Sequence, residues 1–142
     1  MLEQGENVYL DRDKHFKNII KEFKTVEDSD FEIPKSLKKV MRNYQEHGFK
    51  WLKTLESYGF GGILADDMGL GKTLQMISVL LSAKEKGTLE TALIVCPASL
   101  VYNWKEEFTK FAPELNVVPV VGTQSEREKI IRNYQNQDVL VT

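Results

Sequence analysis

Ala65-Asp66-Asp67-Met68-Gly69-Leu70-Gly71-Lys72-Thr73 stands between a short apolar run at residues 62–65 and a helix-prone stretch at 73–86. The order predicts a strand, a tight loop and a helix. Gly69 and Gly71 let the backbone turn so that its N–H groups converge, where a Cβ would obstruct them. The helix that starts near Gly71 aims its positive dipole end and unpaired N–H groups at the same point. Lys72 brings a mobile positive charge there, and Thr73 a hydroxyl suited to Mg2+. The combination is that of a loop that cradles the β- and γ-phosphates of a nucleotide. On average residue usage, a chance Gly-x-Gly-Lys-Thr turn falls below about one per cent for a chain of this length. Asp66 departs from the general pattern, which has glycine or alanine there. A carboxylate aimed at the phosphates would repel them, so Asp66 and Asp67 are expected to face away, toward turn backbone or a partner lobe. Plain turn formation accounts for them at least as well as any catalytic role.

Downstream of the loop, apolar runs and helical patterns alternate. The helix over 73–86 is closed by Gly87, and residues 92–96 (ALIVC) are apolar throughout, as in a strand covered on both faces. Val101, Trp104, Phe108 and Phe111 form one stripe on the next helix, with Ser99 placed to cap it. Residues 117–121 read as another strand, and Thr123-Gln124-Ser125-Glu126 as a capping box opening a helix with Ile130, Ile131 and Tyr134. Asp138-Val139-Leu140-Val141-Thr142 reads as a fourth strand, and its position at the very end of the sequence suggests a truncated piece. The sum is β-α-β-α-β-α-β, an α/β fold with a parallel sheet and helices on its faces.

Upstream, residues 36–58 read as mostly helical, with a weak point at Gly48 and a stop at Gly59. Before Pro34 the grammar differs. Phe16, Ile19, Ile20 and Phe23 mark a short amphipathic helix started by Asp11 or Asp13. Glu27-Asp28-Ser29-Asp30-Phe31-Glu32 reads as a solvated acidic linker. The expected organisation is therefore an N-terminal extension over 1–33 and a nucleotide-binding lobe over 34–142.

Composition narrows the classes. The chain has 142 residues, 42% hydrophobic and 28% charged, enough for one core and ordinary for a globular protein. No apolar run approaches the roughly 18 residues of a membrane helix, so no membrane partner is expected. The N-terminus has no secretory h-region, and the single cysteine, Cys96, excludes an internal disulfide or a cysteine-rich metal site. An intracellular setting follows, cytoplasmic or nucleoid/nuclear. The net charge of −2 means that any nucleic-acid surface is local or completed elsewhere. Six basic residues against one acidic between Lys35 and Lys53 could serve it, although a solvated helix face explains such a run as well.

A phosphate loop alone does not choose among kinases, transporters, GTPases and helicases. Its flanks do. Arg42-Asn43-Tyr44-Gln45-Glu46-His47-Gly48-Phe49-Lys50-Trp51-Leu52 upstream, and Val95-Cys96-Pro97-Ala98-Ser99-Leu100-Val101-Tyr102-Asn103-Trp104 downstream, accompany the loop. With Asp66-Asp67-Met68-Gly69-Leu70-Gly71-Lys72-Thr73-Leu74-Gln75 and the terminal Asp138-Val139-Leu140-Val141-Thr142, they closely resemble the Swi/Snf-type DNA translocases of helicase superfamily two. The likeness covers residues 34–142 and accounts for an aspartate at position 66. It implies the first RecA-like lobe of such an ATPase, a P-loop fold, binding ATP and Mg2+ against a second RecA-like lobe and moving along double-stranded DNA.

By that resemblance Gln45 reads adenine, Arg42 braces nucleotide or loop, and Tyr44 stacks nearby, although packing accounts for Arg42 and Tyr44 equally well. Asp67, Met68, Gly69, Leu70, Gly71, Lys72, Thr73 and Leu74 hold the nucleotide, with Lys72 and Thr73 in the catalytic part. Pro97, Ser99, Leu100, Asn103 and Thr142 touch the DNA backbone. Trp104 belongs to the core on its stripe, Cys96 is inert and His47 lies at the surface. The metal-binding acids and the arginine of the family's hydrolytic machinery would follow Thr142, so the chain is expected to bind ATP without hydrolysing it. A stand-alone nucleotide sensor and an RNA helicase of the same superfamily are the competing readings. Trp51, Leu52, Asn103 and Trp104 favour the Swi/Snf branch.

Overall fold

The computed structural model describes residues 13–26 and 29–142. Among the described residues, three strands form one sheet: β1 Ala92–Ile94, β2 Val117–Pro119 and β3 Val139–Val141, in the order β1-β3-β2. Both pairings are parallel, with Leu93 and Val118 opposite Leu140. Parallel neighbours need crossovers. The helices α4 (Val101–Phe111) and α5 (Gln124–Arg132) lie in the connections between successive strands. β3 is central and all its side chains are buried, which an unbroken apolar strand requires. Hydrogen bonds continue past the strand ends, from Cys96 N to Thr142 O at 2.8 Å and from Val120 N to Val141 O at 2.7 Å.

Two strand expectations are corrected. Residues 62–65 form no strand, and Ile63 is 86% exposed. Among the described residues no strand pairs with them, and an unpaired run has no ladder to hold it extended. β1 is covered on one face only. Ala92, Ile94 and Cys96 pack on the core, whereas Leu93 and Val95 are 63% and 74% exposed. The four-strand reading becomes three.

The core lies between the sheet and helices α2 (Asn43–Ser57), α3 (Lys72–Glu85) and α4. Phe49, Ile77, Leu81, Val101, Phe108, Val139 and Val141 meet there. The expected helix over 36–58 begins only at Asn43, after turns over 35–40, and runs through Gly48 without a break. Its glycine is a packing device: an added Cβ would lie 1.8 Å from Oε1 of Gln75 on α3. Lys53 is buried beside Glu56, so one member of the basic run is withdrawn from the surface.

α4 buries Val101 and Phe108, with Trp104 tilted against Phe108 at 6.1 Å. Ser99 does not cap it. A 3-10 turn, Ala98–Leu100, precedes the helix, and Leu100 N donates to Pro97 O at 2.8 Å. The capping box of α5 forms, with Thr123 N donating to Glu126 Oε2 at 2.7 Å. Even so, α5 buries no residue, and Ile131 and Tyr134 stay exposed. Lys84 near the end of α3 pairs with Asp138 at 2.6 Å, and Asn116 N donates to the same carboxylate at 2.8 Å. These contacts tie helix, sheet and the approach to β2 together.

The N-terminal helix α1 spans Lys14–Lys24, and Asp13 Oδ1 accepts from Phe16 N at 2.7 Å; Asp11 lies outside the described residues. Only half of its stripe is covered. Phe23 packs on Tyr58 and Phe60, while Phe16 and Ile20 are exposed. The acidic linker is corrected in part: Phe31 packs on the core and Ile33 is buried, while Glu27 and Asp28 lie outside the described residues. Among the described residues no helix is long and apolar enough to cross a membrane.

Candidate nucleotide site

The loop ends in a left-handed turn. Gly69 has φ +86° and Gly71, the residue that opens α3, has φ +77°. At Gly71 an added Cβ would also lie 2.4 Å from Gln45 Nε2, so this glycine answers to a close neighbour as well as to its backbone angle. α3 is 14 residues long, and its first N–H groups have no intrahelical acceptor.

Lys72, Gly71 and Thr73 thus converge on the mouth of the loop. Lys72 Nζ donates to Asp66 O at 2.7 Å and to Asp67 O at 2.9 Å, spanning the loop by carbonyl contacts. An ammonium held by neutral carbonyls keeps its charge for a phosphate. Asp66 does turn away, but toward a side chain: Gln75 Nε2 donates to its Oδ2 at 2.8 Å. Met68 stands at the tip, 95% exposed. Leu74 points into the core, which leaves its backbone N–H as the group available to a ligand.

The first turn of α2 is bolted to the loop. Gln45 is buried, and its Oε1 accepts from Arg42 N at 2.9 Å while its Nε2 donates to Leu70 O at 3.0 Å. Tyr44 donates its hydroxyl to the same carbonyl at 3.0 Å, a hydrogen bond where stacking was expected. The amide expected to face a purine is therefore engaged at both ends. Each end keeps one further lone pair or N–H. The guanidinium of Arg42 lies on an exposed residue whose backbone supplies the contact.

Thr73 lines a cavity of about 260 Å³ with Leu100, Asn103, Trp104, Glu106 and Glu107. The structure thus brings Thr73, the expected metal ligand, beside two of the expected nucleic-acid residues. Pro97 and Ser99 are exposed in and before the 3-10 turn, and Thr142 is held to this edge through Cys96 N. Pro97, Ser99, Leu100 and Asn103 follow the carboxyl end of β1, and Thr142 that of β3, where open α/β sheets bind ligands. Cys96 is half-buried, and His47 is exposed on a second cavity of about 720 Å³ between α2 and residues 63–66.

The donor set fits Mg2+-ATP: two glycines with positive φ, a lysine held by two carbonyls, and helix N–H groups. Among the described residues no group of three or more His, Cys, Asp and Glu could hold a metal by itself. Thr73 would bind Mg2+ in company with phosphate oxygens. Sequence reading missed Gly48, Gln75 and the hydroxyl of Tyr44. The available signal was a glutamine inside the apolar run Leu74-Gln75-Met76-Ile77 and a glycine inside a helix.

Comparison with known proteins follows the same residues. The model of the SNF2-related domain matches residues 44–142. An uncharacterised ATP-dependent helicase of Mycoplasma genitalium is 47% identical over 103 residues, which is 72% of this chain and 10% of that protein. The chromatin-remodelling ATPase INO80 of Sclerotinia sclerotiorum is 47% identical over 108 residues, 75% of this chain and 6% of the relative. The SWI2/SNF2 ATPase core of Sulfolobus solfataricus, solved in complex with double-stranded DNA, superposes with a TM-score of 0.69 at 40% identity. That match covers 79% of this chain and 23% of the Sulfolobus chain. The chain therefore spans about a tenth or less of the length of these two curated relatives.

Proposed function

This chain belongs to the SNF2-related family, and from that premise we propose that it is the ATP-binding part of a DNA-dependent ATPase that moves along double-stranded DNA. The observation that carries the proposal is the loop: Gly69 and Gly71 in left-handed turns, Lys72 across the mouth and Thr73 at the start of α3. Backbone N–H groups, helix dipole and ammonium all favour a polyphosphate there. Bound Mg2+ would neutralise phosphate charge, with Thr73 as its protein ligand. Gln45 serves as a brace for Leu70 and uses its remaining N–H and lone pair on adenine. Asp67, Met68, Leu70 and Leu74 contribute backbone groups, and Arg42 steadies Gln45 from the other side.

Pro97, Ser99, Leu100, Asn103 and Thr142 form the DNA-backbone edge. Short polar groups and backbone N–H groups suit phosphates and carry no sequence preference. A second RecA-like lobe closes the nucleotide from the opposite side. Turnover requires a carboxylate on the metal, an acid that positions water, and an arginine. Of the loop's own acids, Asp66 is committed to Gln75. This stretch binds ATP and relies on other residues for hydrolysis.

The test is a titration with Mg2+-ATP and Mg2+-GTP of the chain and of Gln45→Ala. The variant should lose more affinity for ATP than for GTP. Equal losses would confine Gln45 to bracing, and no binding of either nucleotide to the unaltered chain would remove the nucleotide reading.

A further inference from the structure

Gln75 is a polar side chain in the apolar part of α3, and its exposure is 0%. A buried amide needs partners in place of water. Its Nε2 finds Asp66 Oδ2 at 2.8 Å, whereas its Oε1 has no hydrogen-bond partner among the described residues. The amide is pressed against Gly48 of α2, where even a Cβ would intrude to 1.8 Å. Three pieces of chain meet at this one group: α2 through Gly48, α3 through Gln75, and the loop through Asp66. The backbone carbonyl of Asp66 meanwhile accepts from Lys72 Nζ at 2.7 Å. One residue thus holds Gln75 by its side chain and Lys72 by its backbone.

That arrangement has a chemical alternative. The carboxylate of Asp66 belongs to a residue already touching Lys72, and an ion pair with that ammonium would be stronger than a contact with a neutral carbonyl. Such a pair would cancel the charge offered to a phosphate and place an anion at the loop mouth. An amide N–H is the group that prevents it, because it satisfies the carboxylate without neutralising the lysine. A glutamate at position 75 would repel Asp66, and a side chain on Gly48 would push the amide out of reach.

We propose that Gln75 is a positioning residue for the phosphate loop: it holds the Asp66 carboxylate turned into α3, which keeps Lys72 available for the nucleotide. Gly48 makes the room for it. Its consequence for affinity rests on the ATP-binding reading above, but its effect on loop geometry does not.

The test pairs Gln75→Leu, which keeps most of the volume and removes the donor, with the double variant Gln75→Leu/Asp66→Asn, which also removes the charge set loose. Gln75→Leu should weaken Mg2+-ATP binding by about tenfold or more, and the double variant should recover to within about threefold of the unaltered chain. A residue that merely fills the core would show no such recovery, because Asp66→Asn restores no packing. With no nucleotide added, the amide resonances of Gly69 and Gly71 should shift in Gln75→Leu and return in the double variant. Should Gln75→Leu fail to fold, Gln75→Asn leaves the amide one methylene short of Asp66 and carries the same expectations. Unmoved loop resonances, unchanged affinity in the single variant, or no recovery in the double variant would each overturn the proposal. If the unaltered chain binds no ATP, the nucleotide reading fails, and the resonances still decide whether Gln75 sets the loop.

Discussion

Two glycines in one loop differ in what they tolerate. Gly69 and Gly71 both have positive φ, but only Gly71 has a neighbour, Gln45 Nε2, at 2.4 Å from an added Cβ. Gly69→Ala therefore meets left-handed strain alone, about 1–2 kcal/mol, while Gly71→Ala also displaces the brace between α2 and Leu70. Nucleotide titration should show the larger loss for Gly71→Ala; equal losses would mean that the close approach has no bearing on the loop. At this scale the sequence discloses residues whose own chemistry is distinctive. Glycines that free a turn, a lysine and a threonine after them could be read directly. Gln45 could be marked but not its present contact, because its partner is a backbone carbonyl 25 residues away. Gln75 escaped notice for the same reason, since nothing in a linear sequence sets Gly48 against it.

Helices and strands were legible where their pattern is self-sufficient. α3 and the all-apolar β3 follow from composition, and the box at Thr123 and Glu126 from spacing alone. Residues 62–65 have equally apolar composition yet form no strand, because a strand is a property of pairs. Ser99 lost its capping role to a 3-10 turn of its own. Two expectations belong here. Thr123→Ala should cost about 1 kcal/mol, and because α5 buries nothing, the loss should appear as faster amide exchange at Glu126 and Arg127 with little change in global melting. At Asp138, burial raises the carboxyl's affinity for protons, but the hydrogen bonds from Lys84 and Asn116 N outweigh it and hold the pKa below the ordinary carboxylate range. The lowered folded-state pKa means that the unfolded chain protonates first as pH falls through about 3.9. The tie between α3 and β3 therefore contributes stability above that pH and loses it progressively below. Melting temperatures from pH 7 down to 3 should fall less for Asp138→Asn than for the unaltered chain; parallel curves would show that this carboxylate carries no linkage.

For the molecule as a whole, the core that joins α2, α3, α4 and the sheet carries the site. Ile77→Ala, at a fully buried position on α3, should cost about 2–5 kcal/mol, and denaturant melts should register it through loss of the whole fold. Length, single cysteine and net charge bounded the class, and the motifs named a family to which the chain does belong. The exposure of Leu93 and Val95 was not legible, because an all-apolar strand does not show which of its faces is covered. A net charge of −2 allows only a local DNA contact, so affinity for double-stranded DNA should be weak, indifferent to sequence and lost as salt rises. Phosphate release from ATP should stay at background with or without that DNA; Lys72-dependent, DNA-stimulated release would show that the hydrolytic groups lie within this chain. The central claim, that the loop binds ATP through Lys72, is tested most directly by calorimetric titration of Mg2+-ATP into the chain and into Lys72→Ala. Charge-assisted contacts of this kind contribute about 1.5–3 kcal/mol, so the variant should bind at least about tenfold more weakly with an unchanged melting temperature. Equal affinity in the two proteins would contradict it.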